Sequence, residues 1–498
     1  MTESVRSISN EWSRSASFKF GLVALYALGV GLTLGSHAMW RDEIQAWLVA
    51  RDSATVSALL RNLSYEGHPA LWYLLLMPLT RLGRDPFLMQ MLHWAIATAT
   101  VVLVLWRAPL SRVEQVLFPF GYFIFFEYAV KSRSYALGVL LVMAFCAMWR
   151  QRRQHPVVVG FILALMANLH ALTMIVSMAV CLALACDRLV HTSYPERGAV
   201  AGRSWDVLAC CVVGTGWLAA AFTALPPLDS GYATGWFLSF SLDRLGTTLL
   251  SLSGLLAPGK TPLLAGLAVA AFLFVCPRAK ESPAASVFLG ASVIALLAFF
   301  YVKHPGGSPH GGLVFVVFFA AVWIDRESDR ATARLVSRRA LVPSWIFTAL
   351  LACQAVFGLK AMWGDWHRPL SHGRDVARFI ASSGWAGDPI VGLPDHSIST
   401  VVGYLGADRA YYANGRRWGS FTVWDRVRLE PVSMDVVLGD VAQFSQAATL
   451  IVAAGSEIDP AVLSKHQLSE VARFDGAAMP DENYTVYRRQ AATGIAPK

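Results

Sequence analysis

Charged residues are scarce in this 498-residue chain: Asp, Glu, Lys and Arg make up 15% of it, against about a quarter in soluble domains, and 55% is hydrophobic. That deficit argues against a string of soluble domains. Cysteine is sparse too. Cys146, Cys181, Cys186, Cys210, Cys211, Cys276 and Cys353 lie in or beside apolar segments, and none follows residue 353, where the chain turns polar. Their spacing matches no metal site, so they read as small core residues, and the polar tail needs no disulfide. There is no Walker loop, and Gly306-Gly307 lacks the strand and helix that a dinucleotide fingerprint needs, so a nucleotide-sugar donor is unsupported. Net charge is +9, yet no Lys/Arg stripe interleaved with aromatics occurs, which argues against nucleic acid as a partner.

What the chain has instead is a series of apolar runs, which predict a mainly α, polytopic helical membrane bundle. Candidate spans cover 18–39, 86–106, 113–130, 134–149, 156–169, 171–189, 206–225, 262–276, 284–302, 312–325 and 341–362. The first is too long for a signal-peptide core and reads as a retained helix behind a polar segment, 1–17. The run Ala70–Leu79 is only about ten residues long, which favours a re-entrant or interfacial helix. If it does not cross, the basic loops at 107–112, 150–153, 188–203, 278–280 and 326–339 share the side of the basic N-terminus, as the positive-inside rule prefers. The result is about 11 spans in an 18–362 transmembrane domain, the N-terminus cytoplasmic and residues 364–498 extracytoplasmic. That tail mixes β-like runs at 388–394, 409–414, 449–454 and 483–489 with helical patterns at His372–Ser383 and Met434–Ser445, which predicts a small α/β domain.

The first outer loop, 40–85, carries the clearest chemistry. Trp40-Arg41-Asp42-Glu43 is followed by Ile44, Trp47 and Leu48 at helical spacing, which suits a helix lying flat on the membrane with its carboxylates raised into water. Tyr65-Glu66-Gly67-His68-Pro69 then precedes the re-entrant run. Carboxylates at that boundary can take a proton from an acceptor hydroxyl; a polar interfacial rim is the plainer reading. The second outer loop holds Glu127, Lys131, Arg133 and Tyr135, and the fifth holds Lys303, His304 and His310 in a Gly/Pro-rich stretch. Cations there suit a phosphate leaving group, although such charges also snorkel to the interface. Gln90, His93, Asn168 and His170, at helix ends, read as packing residues. A zinc site at His304 and His310 lacks a third ligand.

An acidic pair soon after the first span, then a Gly-His-Pro run opening a short apolar helix, resembles the GT-C membrane glycosyltransferases. It is most similar to the protein O-mannosyltransferase and aminoarabinose lipid A transferase superfamily (glycosyltransferase family 39-like), including the rhizobial galacturonosyltransferase-like branch. The resemblance covers residues 18–362 and is strongest over 40–140. It implies transfer from a polyprenyl-phosphate-linked sugar to a glycan, lipid or protein acceptor, usually with inversion. It assigns the catalytic carboxylate to Asp42 with Glu43 adjacent, the acceptor cavity to Tyr65, Glu66, His68 and Pro69, and the donor phosphate site to Lys131, Arg133 and Tyr135 with Lys303, His304 and His310. Many relatives carry an acidic residue after the second-loop arginine; Ser134 and Tyr135 follow Arg133 here, with Glu127 upstream. That leaves a divalent metal in question, and no other cofactor is implied. Relatives often place an arginine at the start of the second span, where this chain has Asp85-Pro86-Phe87.

Two other classes compete. A transporter or flippase for a lipid-linked or small anionic substrate predicts inverted repeats and broken helices at the midplane. No repeat is detectable, and the charges cluster at one face. A membrane anchor for the C-terminal domain would leave the outer-loop charges without a role.

Overall fold

The computed structural model describes residues 3–191, 202–231, 235–275, 282–332, 344–429, 433, 435–439, 449–454 and 458–489. Cys276, the basic stretch 278–280 and much of 188–203 and 326–339 lie outside these residues, as does most of the helix expected over 434–445, of which 435–439 is helical.

Among the described residues, seven helices are long and apolar enough to cross a membrane. They lie within α1 (Glu3–Ser36), α5 (Phe87–Arg107), α9 (Ala171–His191), α10 (Arg203–Ala224), α13 (Pro283–Val302), α14 (Ser308–Thr332) and α15 (Ser344–His367), the numbering leaving room for the shorter helices between them. Three further expected spans are shorter apolar helices: α7 (Tyr135–Met148), α8 (Pro156–Ala167) and α12 (Pro262–Val275). α14 is apolar all round, so it must be enclosed. From Leu313 to Ile324 every residue is at most 2% exposed, with α7 and α13 packed against it. The outer helices instead turn apolar side chains outward, such as Phe20, Leu25, Leu28 and Leu32 of α1, as a lipid-facing surface requires.

The run 113–130 departs from its expected single helix. It forms α6 (Arg112–Leu117), a 3₁₀ turn at Phe118–Phe120 and a π-helical turn at Phe123–Glu127. Pro119 removes a donor from the ladder, and Gly121 leaves the helical conformation. The break re-aims the chain so that 131–135 crosses the end of the bundle.

The first loop is folded into α2 (Arg41–Arg51), α3 (Val56–Leu63) and α4 (Leu71–Leu82). α2 is not the surface-lying helix its periodicity suggested. It is sandwiched between α4 and a helix of the polar tail, α17 (Asp395–Leu405), and Glu43 through Arg51 are all buried. Gly403 makes the contact close: a Cβ there would lie 2.5 Å from Ile44 Cγ2. An i, i+3, i+4 pattern reports a buried face without saying what buries it.

The tail adds α16 (Gly373–Ser382), α18 (Pro460–Lys465) and six strands: β1 (Ile390–Leu393), β2 (Ala410–Tyr412), β3 (Arg417–Gly419), β4 (Thr449–Ala454), β5 (Leu468–Phe474) and β6 (Tyr484–Arg489). They form one mixed sheet in the order β3-β2-β1-β4-β6-β5, parallel across β2-β1-β4 and antiparallel outside it. Strand residues alternate between two buried faces. Ile390, Tyr412, Leu450, Val452 and Val486 share a core with α16, α17 and the first loop's Trp47, Leu48, Leu59 and Trp72. Val391, Tyr411, Ile451 and Tyr487 form the core on the other face. One hydrophobic core therefore binds the first loop to the sheet.

Candidate active site

Behind α1 the chain passes His37 and enters α2 at Trp40. Glu43, in the first turn, is fully buried and accepts three hydrogen bonds: from its own helix at Trp40 N (3.2 Å), from the second loop at Ser132 N (2.6 Å), and from His37 Nε2 (3.3 Å). His37 Nδ1 lies 3.1 Å from both carboxylate oxygens of Asp365, near the end of α15. Burial works against charge on this imidazole, but the Asp365 and Glu43 carboxylates outweigh it and push its pKa up to about 10. Glu43 thus reaches a buried ionic pin joining the ends of α1 and α15 to the loop that carries Arg133, and it does not line the cavity beside it.

That cavity, about 200 Å³, lies where α2, the second loop, the start of α9 and the tail converge. Asp42 opens into it, about a third exposed, with Arg133 Nη1 at 3.4 Å and Arg41 Nε at 3.8 Å. Arg41 is anchored from behind by Asp481 of the tail. Glu66 lines the opposite part and accepts from Gln45 Nε2 at 2.8 Å. Gln45 also pairs with both backbone groups of Thr422, so its amide orientation is set. Burial, which outweighs the Gln45 hydrogen bond, raises the Glu66 pKa to about 7. His68 Nδ1 donates to the Glu66 carbonyl (2.7 Å), which leaves Nε2 as an acceptor, and burial lowers its pKa.

Three lining groups, Trp72 Nε1, Ser132 Oγ and His170 Nε2, are buried with no hydrogen-bond partner among the described residues. Buried polar atoms of this kind are costly unless something fills the space beside them. Together with Asp42, Glu66 and Arg133 they make a set suited to a polyhydroxylated, anion-bearing ligand.

Of the residues singled out from the sequence, Asp42, Glu66, His68, Arg133 and Tyr135 line one cavity. The others lie elsewhere. Tyr65 donates to Asp229 (2.9 Å) at the rim. Lys131 is paired with Glu127 at 2.9 Å and sits over the Phe126 ring. Lys303 bonds the Gly235 carbonyl and lies 5.9 Å from the Trp236 ring. His304 and His310 face each other at 5.2 Å, and each accepts a backbone N–H on Nδ1. His310 stands 6.0 Å behind the Tyr135 ring, which itself contacts His170 at 4.5 Å. No group of three metal-binding side chains occurs among the described residues. Lining residues that sequence reasoning did not select include eight polar or aromatic ones, Arg41, Gln45, Trp72, Tyr73, Ser132, His396, Thr422 and Trp424, beside Ala46, Ser134 and Leu169; His170 had read as packing only. The last three of those eight come from the tail, some 350 residues from Asp42, where nothing local marks them.

The Glu66 carboxyl has a pH consequence. Its pKa in the fold lies above the ordinary 4.5, so the bound proton stabilises the fold. That contribution is complete below about 4.5 and is lost as pH rises through about 7. Melting of the solubilised protein is expected to fall between about pH 4.5 and 7, and Glu66→Gln, which mimics the protonated form, to remove that component. Parallel profiles for the two proteins would contradict the assignment.

No family profile matches the chain, and no curated protein matches it. Among solved structures, ArnT from Cupriavidus metallidurans bound to undecaprenyl phosphate aligns over 97% of this chain and 99% of that one, at 14% identity and a TM-score of 0.54. The chain therefore has the ArnT-like GT-C fold, a polytopic helical bundle carrying a small sheet.

Proposed function

We propose that the chain is a membrane glycosyltransferase that moves a sugar from a polyprenyl-phosphate donor to an acceptor hydroxyl on the extracytoplasmic face. The observation that carries this reading is Asp42, which opens into a polar cavity at the end of the bundle with Arg133 and Arg41 on either side. The undecaprenyl phosphate bound in the ArnT structure supports a lipid phosphate as part of the donor. The basic loops that can be placed on the N-terminal side support the face.

The chemistry follows from the charges. Arg133 holds the donor phosphate, with Tyr135 beside it at 5.4 Å from the guanidinium. Engaging the phosphate draws Arg133 from Asp42 and leaves that carboxylate free to accept a proton. The acceptor oxygen attacks C1 of the sugar, its proton passes to Asp42, and the C1–O bond to phosphate breaks. The electron pair leaves on the polyprenyl phosphate, where Arg133 stabilises it. One base and an already stable leaving group suffice for a single displacement with inversion. Glu66, whose raised pKa lets it keep a proton up to about pH 7, and His68 Nε2 offer a donor and an acceptor to hydroxyls. Lys131, Lys303, His304 and His310 are not needed at the reacting atoms in this reading.

Arg133→Ala is expected to weaken binding of undecaprenyl phosphate about 10- to 100-fold, the worth of one charge-assisted contact. Titration of the purified protein in detergent measures it; unchanged affinity would remove Arg133 from the donor site.

A further inference from the structure

Asp42 lines a cavity to which the bundle contributes Ser132, Arg133, Ser134 and Tyr135 and the tail contributes His396, Thr422 and Trp424. We propose that His396 and Trp424 form a carbohydrate-binding wall, so that the acceptor is a sugar hydroxyl of a glycan or glycolipid. This rests on the glycosyltransferase reading and names the acceptor class.

The two rings lie 6.2 Å apart at 29° and are half-buried. Each is held by a built frame. His396 sits in the first turn of α17 beside Asp395, which is fully buried and accepts from the Gly415 N–H (3.1 Å) and from Arg428. The Arg428 guanidinium also lies 4.3 Å from the Trp424 ring. The Trp424 carbonyl accepts from Gly231 N (2.8 Å), and Arg426 N donates to Asp229 O (2.8 Å), so the segment is clamped to the loop before it. Tyr65 closes the clamp onto the first loop through Asp229. Rings held this firmly lose little entropy when a ligand covers them.

Aromatic rings offer an apolar face to the C–H side of a sugar, while the unpartnered donors at Trp72 and Ser132 suit its hydroxyls. Burial, and then the nearby Arg41, lower the His396 pKa to about 4, so this wall is uncharged at neutral pH. Pairing with an open strand edge, one mode of peptide capture, is not offered by this cavity, since no lining residue belongs to a strand.

The test is saturation-transfer NMR on the full chain in detergent, with a panel of neutral and acidic disaccharides and a Ser/Thr-rich peptide as probes. Disaccharide binding is expected in the unaltered protein, about 10-fold or more weaker in Trp424→Ala and His396→Ala, and largely kept in Trp424→Phe. Undecaprenyl phosphate binding should persist in all of them, which shows that they fold. Peptide binding in place of sugars, saccharide affinity indifferent to Trp424 and His396, or no saccharide binding at all would overturn the proposal. Failure of the glycosyltransferase reading shows separately, as movement of a polyprenyl-phosphate sugar across vesicles with no polyprenyl phosphate released.

Discussion

Asp42→Asn is expected to lower the turnover of sugar transfer about 10²- to 10⁴-fold while leaving the protein folded. The substitution keeps the side chain's shape and removes its ability to take a proton. The structural cost is small, because both members of the Asp42–Arg133 pair are partly exposed, at 36% and 24%, and pairs of that kind contribute at most about 1 kcal/mol. Loss of rate should therefore come without loss of yield, and binding of undecaprenyl phosphate through Arg133 should survive. Initial rates in membranes, set beside the amount of folded protein, separate the two effects. A variant transferring at the normal rate would remove Asp42 from the mechanism.

The second large effect falls on stability. Glu43→Ala strips the pin of one carboxylate and leaves the His37 imidazolium with Asp365 alone, with the Ser132 and Trp40 N–H groups unanswered. Breaking a fully buried ionic contact in this way costs about 3–5 kcal/mol. Because Ser132 precedes Arg133, the donor side of the cavity should loosen as well. Glu43→Gln, which can still accept two of the three hydrogen bonds, should cost less. The pin also carries a pH signature. The His37 pKa is raised from 6.5 to about 10 by its partners, so its stabilising contribution is complete below 6.5 and is lost as pH rises through about 10. Thermal unfolding of the solubilised protein should show that alkaline loss in the unaltered chain and a smaller one in Glu43→Ala, where Asp365 alone still supports the imidazolium. Equal stability of the two at pH 7 would show that the buried contact holds nothing together.

Membrane helices were readable because length and apolarity suffice to mark them. Asp42, Glu66, His68 and Arg133 were readable because polar groups beside apolar runs stand out. The same signal cannot tell a cation already satisfied from one facing a ligand. Lys131 is neutralised four residues back by Glu127, and Lys303 is taken up by a carbonyl. Nor could charge tell the two first-turn carboxylates apart: Asp42 opens to the cavity, and Glu43 turns inward to His37. The breaks at Pro119 and Gly121 hid inside a run whose hydrophobicity is continuous. The strands β3 and β5 escaped notice for a different reason. β3 is three residues long, and β5 is an edge strand without apolar/polar alternation, in which only Leu468 is buried. His396 reaches the cavity on α17, which packs on α2, a contact between segments about 350 residues apart.

The central claim is transfer from a lipid phosphate. It is tested most directly in vesicles that hold the full chain, a polyprenyl-phosphate sugar with a labelled sugar, and a pool of extracytoplasmic glycan and glycolipid acceptors. Label covalently bound to acceptor and free polyprenyl phosphate should appear in equal amounts, and Asp42→Asn should slow the appearance of both about 10²- to 10⁴-fold. Label that crosses the vesicle membrane still attached to its lipid, with no polyprenyl phosphate released, would contradict the account and mark the protein as a transporter.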